Sequence, residues 1–179
     1  MAPLTDWPAA ARAGMVGLFT DIDDTLTTDG RITPDALDAL GALKAAGLHV
    51  IPITGRPVGW SAPFAATWPV DAIVAENGAV ALLNIADNLD QNCLQRLSGK
   101  REQLSKIYQQ DAAIRADNFR AMQQVLAQIE GEVPGARRAT DSPGRETDIA
   151  IDHSEFTHLP QEAIDHAVRI MRAAGMTAT

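Results

Sequence analysis

A strand, a helix and a second strand follow one another near the start of the chain, and this order constrains the fold more than any other feature. Residues 15–19 form an apolar run of the length of a buried strand. Thr33 and Pro34 are typical of a helix start, with a capping hydroxyl before a proline at the first helical position. Residues 48–53 form the second apolar run. The pattern predicts a βαβ unit with parallel strands and a right-handed crossover.

Acidic residues cluster directly after the first predicted strand. Asp21 and Asp23 stand one residue apart at an edge that Thr54 reaches from the second strand, and in parallel α/β sheets this edge binds ligands. Carboxylates this close repel one another unless a cation lies between them or one holds a proton. Two interpretations stay open from these residues. One is phosphoryl chemistry with a nucleophilic Asp, a proton-exchanging Asp and Mg2+; the other is an acidic turn in which Asp24 or Thr25 caps a helix.

Composition limits the classes of protein and of partner. A chain of 179 residues suits one ordinary domain, or a small core with an inserted module. Its net charge of -8 argues against a nucleic-acid surface or an anionic membrane as partner. Cys93 is the only cysteine, which excludes an internal disulfide and favours a cytoplasmic location. Residues 1–14 have no long apolar run, so we interpret them as a tail and not as a signal peptide.

Beyond the βαβ unit the simple alternation of strands and helices ends. Residues 58–68 are predicted to form a helix broken by Pro63. Residues 71–75 are predicted to form a third strand, and the Asn77-Gly78 pair that follows it is typical of a tight turn into an antiparallel strand.

The second half of the chain has a different character. Residues 89–110 are polar and long with spaced apolar positions, and residues 116–130 are a better helix that Asp117 can cap. Residues 147–152 alternate as a strand does, and residues 160–174 predict a final amphipathic helix. The four histidines share no ligand spacing, so we expect no zinc site.

Three motifs in one order carry a resemblance to a known family: Asp21-Ile22-Asp23-Asp24-Thr25-Leu26, then Ile53-Thr54-Gly55-Arg56-Pro57, then Glu76-Asn77-Gly78-Ala79. Together they resemble the haloacid dehalogenase superfamily of phosphohydrolases, and in particular its Cof-type and sucrose-phosphatase-like branch. The resemblance implies an α/β fold with a Rossmann-like parallel-sheet core and an inserted α+β cap domain. We therefore expect an N-terminal tail in residues 1–14, the first part of the core in 15–83 and the cap in 84–179.

The resemblance also implies roles for single residues. Asp21 resembles the nucleophile and first Mg2+ ligand, and Asp23 the general acid/base, which also offers its backbone carbonyl to the metal. The hydroxyl of Thr54 and the backbone amide of Gly55 are expected to bind phosphate oxygens. These roles suit phosphoryl transfer, which depends on positioning and charge neutralisation.

Other positions keep two interpretations. Arg56 either binds substrate or pairs with a nearby acid such as Glu76, and Asn77 either makes a turn or faces the active-site cleft. Arg145 is the cap residue that we expect to contact substrate. Asp24 departs from the family pattern, which most often has Gly there.

Two late motifs of the family have no counterpart in the sequence: a lysine after the cap and a final acidic pair. The lysines are Lys44, Lys100 and Lys106, all too early in the chain. Asp148 and Asp152 flank an alternating strand, which we interpret as part of the cap. We therefore expect the sequence to stop inside the cap and the first strand to have no partner on one side.

The sequence thus predicts a Mg2+-dependent phosphatase of small phosphorylated metabolites, with sugar phosphates as the expected class and Asp21 as the residue that becomes phosphorylated. We expect the 179-residue chain to lack parts of this machinery, so activity and inactivity of the chain alone both stay open. One alternative is a non-catalytic domain that binds a phospho-ligand or a protein. The other is a phosphomutase, which uses the same nucleophile but protects the intermediate from water.

Overall fold

A computed structural model describes residues 6–84 and 104–178 of the chain. Its elements in order are α1 (Ala9–Arg12), β1 (Gly17–Asp21), β2 (Thr27–Thr28), β3 (Arg31–Ile32), α2 (Pro34–Ala45), β4 (His49–Ile53), α3 (Val58–Thr67), β5 (Ala72–Ala75), β6 (Val80–Asn84), β7 (Leu104–Tyr108), α4 (Ala112–Glu132), β8 (Arg137–Arg138), β9 (Ile151–Asp152) and α5 (Gln161–Ala173). A main sheet has the order β1-β4-β5-β6-β7, and β2–β3 and β8–β9 form small antiparallel pairs. No helix in this part of the chain is long and apolar enough to cross a membrane.

The predicted βαβ unit is confirmed. β1 and β4 pair in parallel in a register that places Asp21 opposite Ile53. The connecting helix α2 begins as its sequence predicts, because the Thr33 hydroxyl accepts a hydrogen bond from the N–H of Ala36 and Pro34 occupies the first helical position. The end of β1 and the residue that follows β4 therefore reach the same edge of the sheet.

The predicted hairpin is also confirmed: β5 runs parallel to β4, and β6 returns antiparallel to β5. Asn77 and Gly78 in the connection have φ angles of 55° and 102°, the left-handed geometry that these residue types tolerate best.

The polar segment 89–110 ends in a strand, an element that the sequence analysis did not assign to it. Its last part forms β7, which pairs antiparallel with β6 and adds a fifth strand to the main sheet, and residues 85–103 lie outside the described part of the chain. The edge of β6 offers backbone hydrogen bonds to Ile107 and Tyr108, residues that favour strands. β7 comes from the half of the sequence assigned to the cap; the division into domains at residue 84 stays a prediction.

α3 is one continuous helix, so the expectation of a break at Pro63 is wrong. Pro63 lacks the N–H that would bond to the carbonyl of Gly59, four residues earlier, and the helix continues past this one missing hydrogen bond. Trp60, Phe64 and Trp68 form a row of contacting rings. Neighbouring ring centroids lie 4.7 Å apart, the first pair edge to face and the second tilted. This aromatic row packs on the core of the main sheet.

The two faces of the main sheet are covered differently. α2 and α3 lie on one face, where Val50, Ile73 and Leu82 are fully buried. On the other face of the sheet, large apolar side chains are exposed to solvent, Phe19 by 69% and Ile107 by 57%. Parallel sheets are normally covered on both faces, so the described residues form two layers where a complete α/β sheet has three.

A second hydrophobic cluster lies between α4 and α5. The helix predicted over residues 116–130 extends over the whole of α4, and its cap is Asp111, not Asp117. The Asp111 carboxylate accepts the N–H groups of the second and third helical residues at 3.0 and 2.9 Å, whereas Asp117 lies inside the helix and pairs with Arg120. Of the strand predicted over 147–152, only the end pairs regularly, as β9. The buried residues of the cluster are Val125, Ile129, Val133, Ala136, Ala167 and Ile170.

Asp71 joins the starts of β4 and β5, at the edge opposite to the acidic residues. Its carboxylate lies 2.6 Å from Lys44 Nζ and 3.3 Å from His49 Nδ1, and it accepts the N–H of Val50 at 2.8 Å. Burial alone would raise the pKa of Asp71, but these donors outweigh it and hold the pKa below its ordinary value. The folded protein therefore favours the ionised carboxylate.

We predict that Asp71→Asn lowers the free energy of unfolding by about 1–2 kcal/mol near neutral pH, because the ion pair with Lys44 is lost. Since the pKa of Asp71 is lower in the folded than in the unfolded state, its contribution is complete above the unfolded pKa, about 4, and disappears as pH falls through the folded pKa. Urea unfolding of both proteins at several pH values measures this. A difference that stays constant into the acid range would contradict the assignment.

Candidate active site

The loop after β1 is built around the backbone carbonyl of Ile22. This residue is fully buried, and its carbonyl accepts the N–H groups of Thr25, Leu26 and Thr27 and the Thr27 hydroxyl. The chain therefore turns sharply after β1, with Asp21 at the end of the strand and exposed. Within the described ranges no hydrogen bond or ion pair to the Asp21 carboxylate is found. This carboxylate is free to meet a ligand.

Asp24 stands at the position where the resemblance leads us to expect Gly, and its backbone angle shows why Gly would suit that position. Its φ angle is 55°, in the left-handed region that glycine adopts without cost. Aspartate is among the few other residues that visit this region regularly. The departure from the family pattern therefore leaves the path of the loop intact.

Asp23 is held by the motif that follows β4. Arg56 donates from Nε to both carboxylate oxygens, at 3.2 and 3.3 Å, and from Nη2 at 3.1 Å. The Thr54 hydroxyl donates to Asp23 at 3.5 Å and accepts the N–H of Arg56 at 3.0 Å. The hydrogen bonds to Asp23 raise the pKa of Arg56. Arg56 thus pairs with an acid, as one interpretation expected, but the acid is Asp23 and not Glu76.

The loops after β4 and β5 touch each other. A Cβ on Gly55 would lie 2.9 Å from the Asn77 side-chain oxygen, so a larger residue would displace this amide. The Asn77 N–H donates to the carbonyl of Thr54 at 3.2 Å, and its side chain donates to Asp148 at 3.4 Å. Asn77 therefore makes the turn and also joins the two loops to the segment around residue 148.

Arg145 crosses from that segment to the loop after β4. Its guanidinium donates from Nη1 to the carbonyl of Gly55 at 3.3 Å and to Asp148 at 2.8 Å, and from Nη2 to Asp141 at 3.1 Å. Only 9% of the side chain is exposed. Burial lowers the pKa of Arg145, but the two carboxylates outweigh it and raise the pKa overall. Burial raises the pKa of Asp148, and the hydrogen bonds and charge of Arg145 offset this rise only in part. Contact between Arg145 and substrate stays a prediction.

An open cleft of about 300 Å³ lies between the two motif loops and the later segment. Of the predicted site residues it brings together Asp23, Gly55, Arg56 and Arg145, while Asp21, Thr54 and Asn77 do not line it. Three acidic residues that the sequence prediction did not place at the site also line the cleft: Asp141, Asp152 and Glu155.

The sequence prediction also missed the partners of the predicted residues. Asp141 precedes Arg145 by four residues and Asp148 follows it by three, spacings that favour ion pairs where a chain turns tightly. This spacing is the sequence signal that could have identified them as partners of Arg145. Glu76, in contrast, is buried and binds a distant part of the backbone. No local pattern marks such a contact.

The acids at the end of β1 fit a hard cation. No group of three His, Cys, Asp or Glu side chains in residues 6–84 and 104–178 has the arrangement of a metal site. Mg2+ does not need one, because it is commonly bound through one or two carboxylates together with substrate phosphate and water. The free carboxylate of Asp21 and the backbone carbonyl of Asp23 could supply ligands of this type, whereas the Asp23 carboxylate is paired with Arg56.

The fold and the acidic edge define an α/β protein with a Rossmann-like sheet that is parallel where the site lies. The chain belongs to the haloacid dehalogenase-like hydrolase family, whose profile matches residues 18–135. A comparison with curated protein sequences finds no match.

Solved structures share the fold. Protein 0175 of Thermoplasma acidophilum aligns with a TM-score of 0.61 and 16% identity over 90% of this chain and 59% of its own. ATP-bound IMP-nucleotidase of Plasmodium falciparum aligns with a TM-score of 0.51 and 12% identity over 93% of this chain and 43% of its own. The chain therefore spans less than two thirds of the length of either structure. At these identities the likeness concerns the fold alone.

Two glycines allow the later segment to approach α3, and they give a test of this packing. A Cβ on Gly59 would lie 2.9 Å from the Cα of Gly144, a backbone atom that cannot move aside easily. We predict that Gly59→Ala lowers the free energy of unfolding by about 1–3 kcal/mol through this overlap. In α2, a Cβ on Gly41 meets nothing within 4 Å, so Gly41→Ala should instead raise it by about 0.5–1 kcal/mol.

Denaturant unfolding of the two single variants measures both effects. Each replaces a helical glycine by alanine, so the helix propensity changes in the same direction and only the packing differs. If Gly59→Ala were stabilised like Gly41→Ala, the close approach of the later segment would be contradicted.

Proposed function

We propose that this protein is a Mg2+-dependent phosphatase of small phosphorylated metabolites, with sugar phosphates as the preferred class. The observation that carries the proposal is the free carboxylate of Asp21 beside Asp23, which is held by three hydrogen bonds from Arg56 and one from Thr54. A free nucleophile next to a positioned acid/base is the arrangement that covalent phosphoryl transfer needs. The single cysteine supports a cytoplasmic location.

In the proposed reaction the Asp21 carboxylate attacks phosphorus, and the bond from phosphorus to the leaving oxygen breaks. Asp23 first takes up a proton, which releases it from the ion pair with Arg56; it gives this proton to the leaving oxygen and, as a carboxylate again, takes a proton from the water that hydrolyses the phosphorylated Asp21. Arg56 holds the Asp23 carboxylate in place for the second transfer. The Gly55 amide holds one phosphate oxygen, and the single O–H of Thr54 holds another once it turns from Asp23 to the ligand. Bound Mg2+ would supply charge neutralisation on the phosphate.

The described lysines do not take part in this scheme. Lys44 Nζ lies 2.6 Å from Asp71, at the edge of the sheet opposite to Asp21. Lys106 Nζ lies 2.6 Å from Glu146. The proposal therefore assigns charge stabilisation around Asp21 to the backbone, to Thr54 and to the cation.

Hydrolysis of p-nitrophenyl phosphate with Mg2+ tests the proposal. We expect turnover that falls by at least about a thousandfold in Asp21→Asn, because the amide cannot attack phosphorus. Asp29→Asn is the matched control: Asp29 is exposed in the turn between β2 and β3 with a φ angle of 51°, which asparagine accepts equally well. Chelation of the metal should abolish turnover in the wild type and the control alike.

The alternatives predict other outcomes. Equal turnover in Asp21→Asn would contradict the nucleophile. A wild-type protein that binds phosphate esters without hydrolysing them would favour the non-catalytic domain. Stimulation by a sugar bisphosphate would favour the phosphomutase.

A further inference from the structure

Glu76 is a buried carboxylate without a basic partner. Only 2% of the residue is exposed, and carboxylates are rarely buried so completely unless they are paired. No ion pair to Glu76 is found within residues 6–84 and 104–178. The proposed reaction does not use this side chain. Its burial therefore needs another explanation.

Hydrogen bonds from the start of α3 and from residues 146–147 stabilise the carboxylate in place of a basic side chain. Oε1 accepts the N–H of Val58 at 3.0 Å and the N–H of Glu146 at 2.9 Å. Oε2 accepts the N–H of Thr147 at 2.6 Å and also the Thr147 hydroxyl. Val58 is the first residue of the ten-residue helix α3, where the helix dipole favours a negative charge. Both carboxylate oxygens are thus saturated with donors.

The backbone at this point is strained. Glu76 and Asn77 have φ angles of 50° and 55°, two successive residues other than glycine in the left-handed region. Such geometry persists only where the surroundings impose it, and it concentrates at functional sites. Here it turns the Glu76 carboxylate toward α3 and the later segment while Asn77 faces Asp148.

The segment that Glu76 binds carries two residues that reach the candidate site. Arg145 precedes the bound residues and donates to the carbonyl of Gly55. Asp148 follows them and accepts from Asn77. Other hydrogen bonds between this segment and the main sheet use its side chains, as when Glu146 binds Lys106 and Tyr108. Glu76 instead binds the backbone itself.

We propose that Glu76 is a positioning residue: it fastens residues 145–148 to the loops after β4 and β5 and so fixes Arg145 at the edge of the cleft and Asp148 against Asn77. Its consequence for substrate binding rests on the proposed function. The fastening itself is a property of the structure and does not depend on turnover. Glu76 acts through the residues that it holds and does not itself touch the reacting atoms.

Glu76→Gln removes the charge with almost no change of shape. A glutamine replaces one acceptor oxygen by an NH2 donor, and both oxygens of Glu76 accept N–H groups, so one end must lose its bonds. Amide hydrogen exchange should become at least about tenfold faster at Glu146 and Thr147 than in the wild type. The amides of β4 should change much less. Glu132→Gln, on the exposed end of α4, is the matched control and should leave exchange unchanged.

Two variants of Thr147 change the contact less and so distinguish its loss from a general folding defect. Thr147→Val removes the hydroxyl donor and should accelerate exchange at residue 147, whereas Thr147→Ser keeps a hydroxyl and should restore near wild-type exchange. Unchanged exchange at residues 146 and 147 in Glu76→Gln would overturn the proposal. Equal acceleration in β4 would also overturn it, because Glu76 would then serve overall stability only.

Kinetics with p-nitrophenyl phosphate and Mg2+ separate this proposal from the proposed function. If both are correct, Glu76→Gln should raise KM several-fold with a smaller change in kcat, because it positions Arg145, the residue predicted to contact substrate. A fall in kcat at unchanged KM would overturn the positioning role. If the wild type shows no turnover, the proposed function fails, and the exchange experiment alone supports or overturns the fastening.

Discussion

The parallel pairing of β1 with β4 determines where every other part of the site lies. Its register sets Asp21 opposite Ile53, so the acidic loop and the Thr54 loop leave the sheet side by side. A shift of β4 by one residue against β1 would turn the side chains of β4 to the other face of the sheet. The burial of alternate residues such as Val50 excludes that shift, because it would expose the core under α2 and α3. The core of the fold and the geometry of the site thus depend on one register.

Close backbone packing brings the later segment to this edge. Gly59 and Gly144 meet without side chains between them, which lets the chain after residue 144 run across the loops after β4 and β5. The later segment is the donor in the hydrogen bonds across this junction: Arg145 donates to the carbonyl of Gly55, and the N–H of Glu146 donates to the Glu76 carboxylate. The contact is therefore polar and specific, unlike the apolar packing between α4 and α5.

The sequence predicts those parts of the structure that local chemistry decides. Thr33 and Pro34 mark the start of α2 because capping involves neighbours in the chain. Asp111 and Asp117 both precede helical residues, so the sequence did not distinguish the true cap. The partner of Arg56 was beyond prediction for another reason: Asp23 lies 33 residues away, and only the strand register brings the two together. Contacts of this kind are decided by tertiary structure.

The balance of charge in the cleft bears on how an anion could bind there. Arg56 is already paired with Asp23, and Arg145 with Asp141 and Asp148. Neither guanidinium therefore has its charge available in full, since a phosphate would have to compete with carboxylates at 2.8–3.1 Å. A free carboxylate at Asp21 adds further repulsion. For the Mg2+-dependent phosphatase proposed above, these ion pairs give a reason for the metal: a cation at the acidic edge would supply the attraction for phosphate that the two paired arginines do not supply in full.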